Sequence, residues 1–503
     1  MHCSTRVFSL LAVLTLPVTG SAQAQPTLPD ADALQKVFEQ IIRKAEPSVA
    51  CVLVSRSEEY VRHGPAPSAD APGKLGRFTP RPDLAEALKA LDLARPDHVP
   101  EVFGSAVVID ESGLVLTCAH VIRKATKIYV RLPGNRGSYA DIYAADPRSD
   151  FAVLKLLDPP PELKALKIGD GGKLRKGHWI ISVANPFAIG FRNSSPCASV
   201  GVVKNFRQRD PAIADETDAG RRPLHEFGTL LQTELPVILG KDVKEMKDVR
   251  SLLGFSGGAL LNLDGELVGL TTTLAALSGD EPGSFAIPMD AAMRRIVEVL
   301  RRGEEVEYGF LGISMTRAPQ QGVPVQINEV IPGGPAKEAG LLSGEFIVAI
   351  DGRPVRDFYD LVFLVGIGLA GNEVKVELAR GSPGGRRREV MVRLTKSPVT
   401  GAVIASNRPP ARAGLRVDHA SIVARQNHEI PVGVAIREVI PDSPADRARL
   451  QSGKVIKRVN GKVVTSPTEF YRAMEGAGRK IELTILDFAG QQEETITITI
   501  DND

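Results

Sequence analysis

Three short stretches of this chain carry residue types that together can break an amide bond. They are Thr117-Cys118-Ala119-His120, Ser149-Asp150-Phe151-Ala152-Val153-Leu154 and Gly254-Phe255-Ser256-Gly257-Gly258. A serine hydroxyl barely ionises at neutral pH, so it attacks a carbonyl only when a histidine takes its proton. That histidine needs a buried carboxylate to fix its tautomer and steady the imidazolium that forms. Glycines around Ser256 permit the tight turn that aims backbone N–H groups at a developing oxyanion.

The order His, Asp, Ser along the chain is that of the chymotrypsin type and differs from the orders of subtilisin and the α/β-hydrolases. Such groups meet only if β-rich elements bring them together. From Val102 to Pro288 short β segments alternate with turns, as in Gly104–Ile109, Leu114–Thr117, Lys127–Leu132, Ala152–Leu156, Trp179–Ala184 and Glu266–Thr271. Many short strands over this length predict a sandwich or barrel. Asp32–Ala45 places Leu34, Val37, Phe38, Ile41 and Ile42 on one helical stripe, and a strand follows over Ser48–Val54. Residues 57–100, with seven prolines, read as a long surface loop carrying a short helix near Asp83–Leu93. Met289–Arg302 reads as an amphipathic helix, and Gly303–Glu307 as a charged connector.

The C-terminal part repeats itself. Glu329-Val330-Ile331-Pro332 returns as Glu438-Val439-Ile440-Pro441, Pro335-Ala336 as Pro444-Ala445, and Ser343-Gly344 as Ser452-Gly453, all at one offset. Such ungapped recurrence marks two copies of one module. Between them residues 397–412, with Pro398, Pro409 and Pro410, have linker composition.

Bulk composition sets outer limits. With 503 residues the chain exceeds a single core and divides into several domains. A net charge of +2 offers no basic field for nucleic acid. The densest basic run, Arg386-Arg387-Arg388, reads as a solvated hairpin tip. The charged start Met1–Arg6, the apolar run Val7–Gly20 and Ala22-Gln23-Ala24 fit a secretory signal ending at residue 24. No later segment approaches the roughly 20 apolar residues of a membrane-spanning helix. After export Cys51, Cys118 and Cys197 remain, with at most one bridge, and no Cys/His spacing suggests a metal site. No cofactor is expected.

In this order the motifs resemble the HtrA/Deg family of exported trypsin-like serine proteases with PDZ domains. The likeness rests on Pro47-Ser48-Val49, Gly104–Ile109, Thr117–Val121, Ser149–Leu154, Asn185-Pro186-Phe187, Gln232-Thr233-Glu234, Gly257–Leu260, Phe285–Pro288 and Tyr308–Ile313. It implies a mainly β chain: a chymotrypsin-like double β-barrel protease domain over 30–290, a helix and connector over 291–307, and two PDZ-like α+β domains over 308–396 and 413–503. It further implies His120 as base, Asp150 as its orienting carboxylate and Ser256 as nucleophile, with the N–H groups of Gly254 and Ser256 as the oxyanion hole. Gly309, Phe310, Leu311, Gly312 and Ile313 would hold a peptide carboxylate and start the strand that a C-terminal peptide extends. Gly414-Leu415-Arg416-Val417 would do so in the second module.

The chain departs from the family between Gln232 and Ser256. A longer charged stretch, Leu235–Ser251, replaces a short turn, and Phe255 stands where the family has asparagine or aspartate. Arg250 occupies the position where a trypsin-like pocket holds its carboxylate, so small or medium apolar residues are expected at the cleavage site. The expected function is ATP-independent cleavage of unfolded or damaged polypeptides outside the cytoplasm. Hydrophobic C-termini would be the PDZ ligands, and a homo-oligomer, by analogy a trimer, the assembly. The alternative is a proteolytically silent or weak PDZ scaffold or holdase chaperone, motivated by that insertion and Phe255.

Overall fold

The computed structural model describes residues 31–56, 92–95, 100, 102–134, 136–186, 195–208, 228–233, 255–272, 284–315, 322–398, 404–426, 429–487 and 492–500. The expected signal, most of the 57–100 loop and the Leu235–Ser251 stretch lie outside these residues. Among the described residues no helix is long and apolar enough to cross a membrane.

Helix α1, Ala31–Ala45, lays its apolar stripe down at Ile41 and Ala45 and leads into the first barrel. That barrel comprises β1 (Val49–Ser55), β2 (Val102–Asp110), β3 (Leu114–Cys118), β4 (Lys127–Leu132), β5 (Arg136–Asp146) and β6 (Phe151–Leu156). They run in the order β5-β4-β1-β2-β3-β6, and pairing of β5 with β6 closes the ring. Every residue of β1 and β3 is buried, as befits strands enclosed on both faces. The second barrel is closed by β7 (Trp179–Ala184), β8 (Cys197–Gln208), β9 (Thr229–Thr233), β10 (Ala259–Leu261), β11 (Leu267–Thr272) and β12 (Ser284–Pro288). Closure pairs the outer strands of each barrel with one another and removes most of the edge that an open sheet would have to protect.

Helix α2, Ala291–Arg301, starts where the Asp290 carboxylate accepts the N–H groups of Ala292 and Met293. The first repeat unit then forms β13 (Gly309–Phe310), β14 (Ile313–Met315), β15 (Val325–Val330), α3 (Pro335–Glu338), β16 (Phe346–Ile350), β17 (Arg353–Pro354), α4 (Phe358–Gly368), β18 (Glu373–Arg380), β19 (Arg386–Arg393) and β20 (Thr395–Lys396). Its sheet runs β14-β15-β16-β18-β19, while β13 and β20 make a separate ribbon.

After β21 (Ile404–Ala405) the second unit repeats the design. It has β22 (Leu415–His419), β23 (Val434–Val439), α5 (Pro444–Arg447), β24 (Val455–Val459), β25 (Lys462–Val463), α6 (Pro467–Glu475), β26 (Lys480–Asp487) and β27 (Gln492–Thr499), in the order β22-β23-β24-β26-β27. The repeat seen in the sequence is a repeat of fold.

Two placements differ from the sequence reading, and two further features lie beyond it. The segment with linker composition contributes β21, which pairs Ile404 with Ala145 and Ala405 with Ala144 on the first barrel. Asn407 fastens it by donating to the carbonyls of Gly303 and Arg302. Leu93, at the end of the expected surface loop, is wholly buried against Cys51, Leu53 and Tyr129. Arg386-Arg387-Arg388 begin β19 at the hairpin turn and are exposed, as read, but the Arg388 guanidinium also grips both oxygens of buried Glu345 at 2.7 and 2.8 Å. The two units also differ from each other: α4 is apolar on nearly every side and buried almost throughout, whereas α6 buries only Phe470 and Met474. The difference has a cause in packing: Phe363 of α4 lies against Gly228 at the start of β9, and Arg295 of α2 donates to the Ile367 carbonyl. Among the described residues Cys51, Cys118 and Cys197 form no disulfide.

Candidate active site

Strand β3 ends at Cys118, and the chain turns immediately into Ala119 and His120. The turn is fastened to the start of β6. The Ala119 N–H donates to the Asp150 carbonyl at 2.8 Å, and the His120 N–H donates to Asp150 Oδ1 at 2.9 Å. The second carboxylate oxygen, Oδ2, lies 2.7 Å from His120 Nδ1. Asp150 is thereby gripped by backbone and side chain of the same residue, which fixes the imidazole plane. With the proton on Nδ1 facing the carboxylate, Nε2 carries the lone pair that accepts a proton. Nε2 is buried and has no hydrogen-bond partner among the described residues.

Asp150 reaches this position through a left-handed backbone, φ +62°. The turn before it is organised by Asp146, whose carboxylate accepts the N–H of Ser149 at 2.9 Å and of Arg148 at 3.3 Å. The Tyr308 hydroxyl, from the segment opening the first repeat unit, donates to the same carboxylate. Burial pushes the Asp146 carboxyl upward, opposed by hydrogen bonds from Ser149 and Tyr308. Burial, and then the Asp146 charge, holds the Tyr308 phenol well above its ordinary range. The Arg148 guanidinium caps the Tyr308 ring at 4.4 Å.

Ser256 sits in the turn before β10, wholly buried. Its carbonyl accepts the N–H of Ser105 from β2 at 2.8 Å, so the first barrel holds the second barrel's serine by its backbone. Gly257 has φ +89°, and a Cβ there would lie 2.1 Å from the Ser105 carbonyl oxygen; only glycine fits. Gly257 and Gly258 donate to the carbonyls of Thr271 and Phe255, at 2.8 and 3.2 Å. Gly104 lies between the two halves of the site: a Cβ built on it would come within 2.7 Å of Val121 and 3.2 Å of the Ser256 carbonyl. Val121 follows His120 directly, so the side chain next to His120 and the backbone of Ser256 meet across one glycine. Gly254, expected as an oxyanion donor, lies outside the described residues.

Cys118 adds a third ligating atom near His120 and Asp150, all within 4.8 Å of one another. Its thiol is held far above the ordinary range, first by burial and then by the Asp150 charge. It faces the Thr271 carbonyl at 3.6 Å as a neutral donor. A metal would require the thiolate that this setting opposes.

Residues 104–270, which span all three candidate residues, match the trypsin-like peptidase domain, and residues 326–380 and 436–487 match the PDZ domain. The periplasmic pH-dependent serine endoprotease DegQ of Escherichia coli (strain K12) is 30% identical over 500 residues, covering 97% of this chain and 98% of the relative. A probable periplasmic serine endoprotease, DegP-like, of Pseudomonas fluorescens is 30% identical over 492 residues, covering 92% and 91%. The chain belongs to the HtrA/Deg family of serine endopeptidases. Its place is the periplasm. Among solved structures, an HtrA-type protease AlgW with tripeptide is 21% identical, covers 72% of this chain and 97% of its own, and has a TM-score of 0.46.

In this HtrA/Deg chain the expected peptide-binding residues divide between two elements. Gly309 and Phe310 lie in the ribbon paired with Lys396 and Thr395. Leu311 and Gly312, the latter at φ +78°, offer their carbonyls to Ala336 and Ile331 and so form the turn into β14, which Ile313 begins. Strand β14 is the edge of its sheet, where an added strand would lie. In the second PDZ unit the same two bonds come from Ala413 and Gly414, to Ala445 and Ile440. The structural counterpart of Leu311-Gly312-Ile313 is therefore Ala413-Gly414-Leu415, three residues upstream of the sequence reading, which matched Gly309–Gly312 to Gly414–Val417. Along β22, Leu415 N–H donates to Arg412, Val417 N–H to the Tyr471 hydroxyl and His419 N–H to Asp418.

The sequence reading missed the ionic cluster that joins the two PDZ units. Lys396, only 2% exposed, contacts Asp418 at 2.8 Å, Glu305 at 3.0 Å and Glu307 at 3.1 Å. Burial pulls the Lys396 ammonium down, yet the three carboxylates outweigh it and its affinity for the proton rises. Arg437 bonds both Asp418 and Glu305.

Proposed function

We propose that His120, Asp150 and Ser256 are the catalytic triad of a periplasmic endopeptidase that degrades unfolded or damaged polypeptides. The observation that carries this reading is the two-point grip of Asp150 on His120, which leaves Nε2 as the only open nitrogen at the interface where Ser256 is held. In that mechanism the Ser256 oxygen attacks the peptide carbonyl as His120 Nε2 takes its proton. Asp150 steadies the imidazolium, which then protonates the leaving amine; water repeats the sequence to release the acyl group. The oxyanion would be met by the N–H groups of Gly254 and Ser256. One such donor is worth about 2.7–4 kcal/mol in the transition state.

The first PDZ unit supplies the capture site. A hydrophobic C-terminus would add to the edge of β14, with its carboxylate at the Leu311-Gly312-Ile313 turn. Backbone pairing gives affinity for any sequence and an apolar pocket selects the last side chain. Unfolded proteins display such ends. Assembly into a homo-oligomer through the N-terminal region is proposed on family likeness. Trp179, 41% exposed and 5.4 Å from the Phe38 ring of α1, offers an aromatic surface for it.

One observation favours the second reading, a silent or weak scaffold: Ser256 is wholly buried, so substrate reaches it only after the surrounding loops shift. Fluorophosphonate labelling separates the two. The native protein should label and Ser256→Ala should not, with casein cleaved by the native protein alone. A native protein that stays unlabelled, with or without a hydrophobic C-terminal peptide, would establish the scaffold instead.

A further inference from the structure

We propose that Thr117 is a positioning residue for the nucleophile: its hydroxyl holds the Ser105 carbonyl and so sets the place of Ser256 relative to His120. The inference rests on the reading of Ser256 as nucleophile.

Thr117 stands at a crossing of three elements. It lies on β3, three residues before His120, and pairs with Ala152 of β6, the strand that Asp150 opens. Its hydroxyl, fully buried, donates to the Ser105 carbonyl of β2 at 2.8 Å. Ser105 in turn is bonded through each of its polar groups to a different part of the site. Its N–H donates to the Ser256 carbonyl at 2.8 Å. Its hydroxyl accepts the N–H of Asn185, at the end of β7 in the second barrel, at 2.9 Å. Its carbonyl receives Thr117 and presses on Gly257 at the spot where a Cβ would sit 2.1 Å away.

The consequence is geometric. Ser256 belongs to the second barrel and His120 to the first, so their separation depends on how the barrels are joined. Ser105 is the joint, and Thr117 fixes its orientation from the strand that carries the base. Without the hydroxyl the Ser105 carbonyl loses a buried donor, and the peptide is free to turn toward another. The Ser256 carbonyl and the Gly257 turn would follow. A displacement of about 1 Å at a reacting group costs up to about a hundredfold in rate. Substrate contacts are untouched, so binding should not change.

The test is steady-state cleavage of a chromogenic peptide by the full-length protein, with Thr117→Val, Thr117→Ala and Thr117→Ser. Valine removes the hydroxyl at constant shape; alanine removes it without crowding Gly257; serine restores it. We expect kcat to fall about 10-fold to 100-fold in Val and Ala with KM within twofold, and Ser to recover to within about threefold. Thr126→Val serves as a control. It deletes another threonine-to-carbonyl bond, from exposed Thr126 to Ser55 at 2.9 Å, that involves none of Ser105, Asp150 and Ser256, and should cost little stability and leave kcat unchanged. The idea is overturned if Thr117→Ala keeps native kcat, if serine fails to rescue, or if Thr126→Val loses kcat equally. Should Thr117→Val not fold, the alanine and serine pair decides. Activity surviving in Ser256→Ala would sink both this inference and the triad; native kcat in Thr117→Ala would sink this one alone.

Discussion

The hydroxyl of Tyr308 donates to the carboxylate of Asp146, joining the opening of the first PDZ unit to the turn that presents Asp150. Both groups are buried, and the same carboxylate holds the N–H of Ser149. A residue outside the barrels thus completes the hydrogen bonding of a turn inside one of them.

Tyr308→Phe removes that bond with little change of shape. A hydrogen bond to a buried charge contributes about 1.5–3 kcal/mol. The variant should lower the unfolding free energy of the protease core by that amount, read as a lower urea midpoint at unchanged slope, and speed amide exchange at Ser149. Unchanged exchange at Ser149 would show that the turn holds without Tyr308.

Asp150→Asn tests the grip on His120. An amide can donate to Nδ1 and turn the imidazole to the wrong tautomer, putting the proton on Nε2. In serine proteases that change lowers kcat by about 10⁴ while leaving the fold intact. Single-turnover acylation should therefore be almost abolished with the melting temperature nearly unchanged. Near-native acylation would remove Asp150 from the triad.

Lys396→Met takes the cation from a buried cluster and leaves Asp418, Glu305 and Glu307 facing one another and Arg437. Breaking a buried pair costs about 3–5 kcal/mol because the remaining charge stays unpaired. The second PDZ unit should then come away from the first. X-ray scattering should show a larger radius of gyration, and protease should cut the linker sooner. A compact, uncut chain would mean that the β21 pairing and the apolar contact of Ile430 with Phe310 and Ile331 suffice.

Arg388→Gln carries a pH signature. The Arg388 hydrogen bonds hold the Glu345 carboxyl below its ordinary value, against burial. A carboxyl lowered in the folded state adds stability above its unfolded value, near 4.5, and loses it as pH falls through the folded value. Arg388 is partly exposed, so solvent screening reduces the effect. Acid unfolding of the first PDZ unit should move to higher pH in the variant, with little change at pH 7 beyond the lost contact. A midpoint that stays put, followed by circular dichroism, would show the pair to be ornamental to stability.

Much of this molecule was legible in the chain itself. Strands such as Ser48–Val54 and Leu114–Thr117 announce themselves because enclosed strands need nearly unbroken runs of apolar or β-branched residues, a local requirement. The repeat of Glu329-Val330-Ile331-Pro332 at Glu438–Pro441 declared two modules of one kind. Thr117–His120, Ser149–Leu154 and Phe255–Gly258 pointed to the chemistry because a serine nucleophile, its base and their glycine turn restrict residue type. Tertiary structure alone decided what those groups lean upon. Tyr308 on Asp146, Thr117 on Ser105, Lys396 on three carboxylates and β21 on β5 join segments distant in sequence. Each is one to three polar contacts of a single side chain or a two-residue pairing, too small to leave a periodicity. Such contacts exist because a buried polar group must find a partner wherever the folded chain brings one, and that place is set by the closing of the barrels.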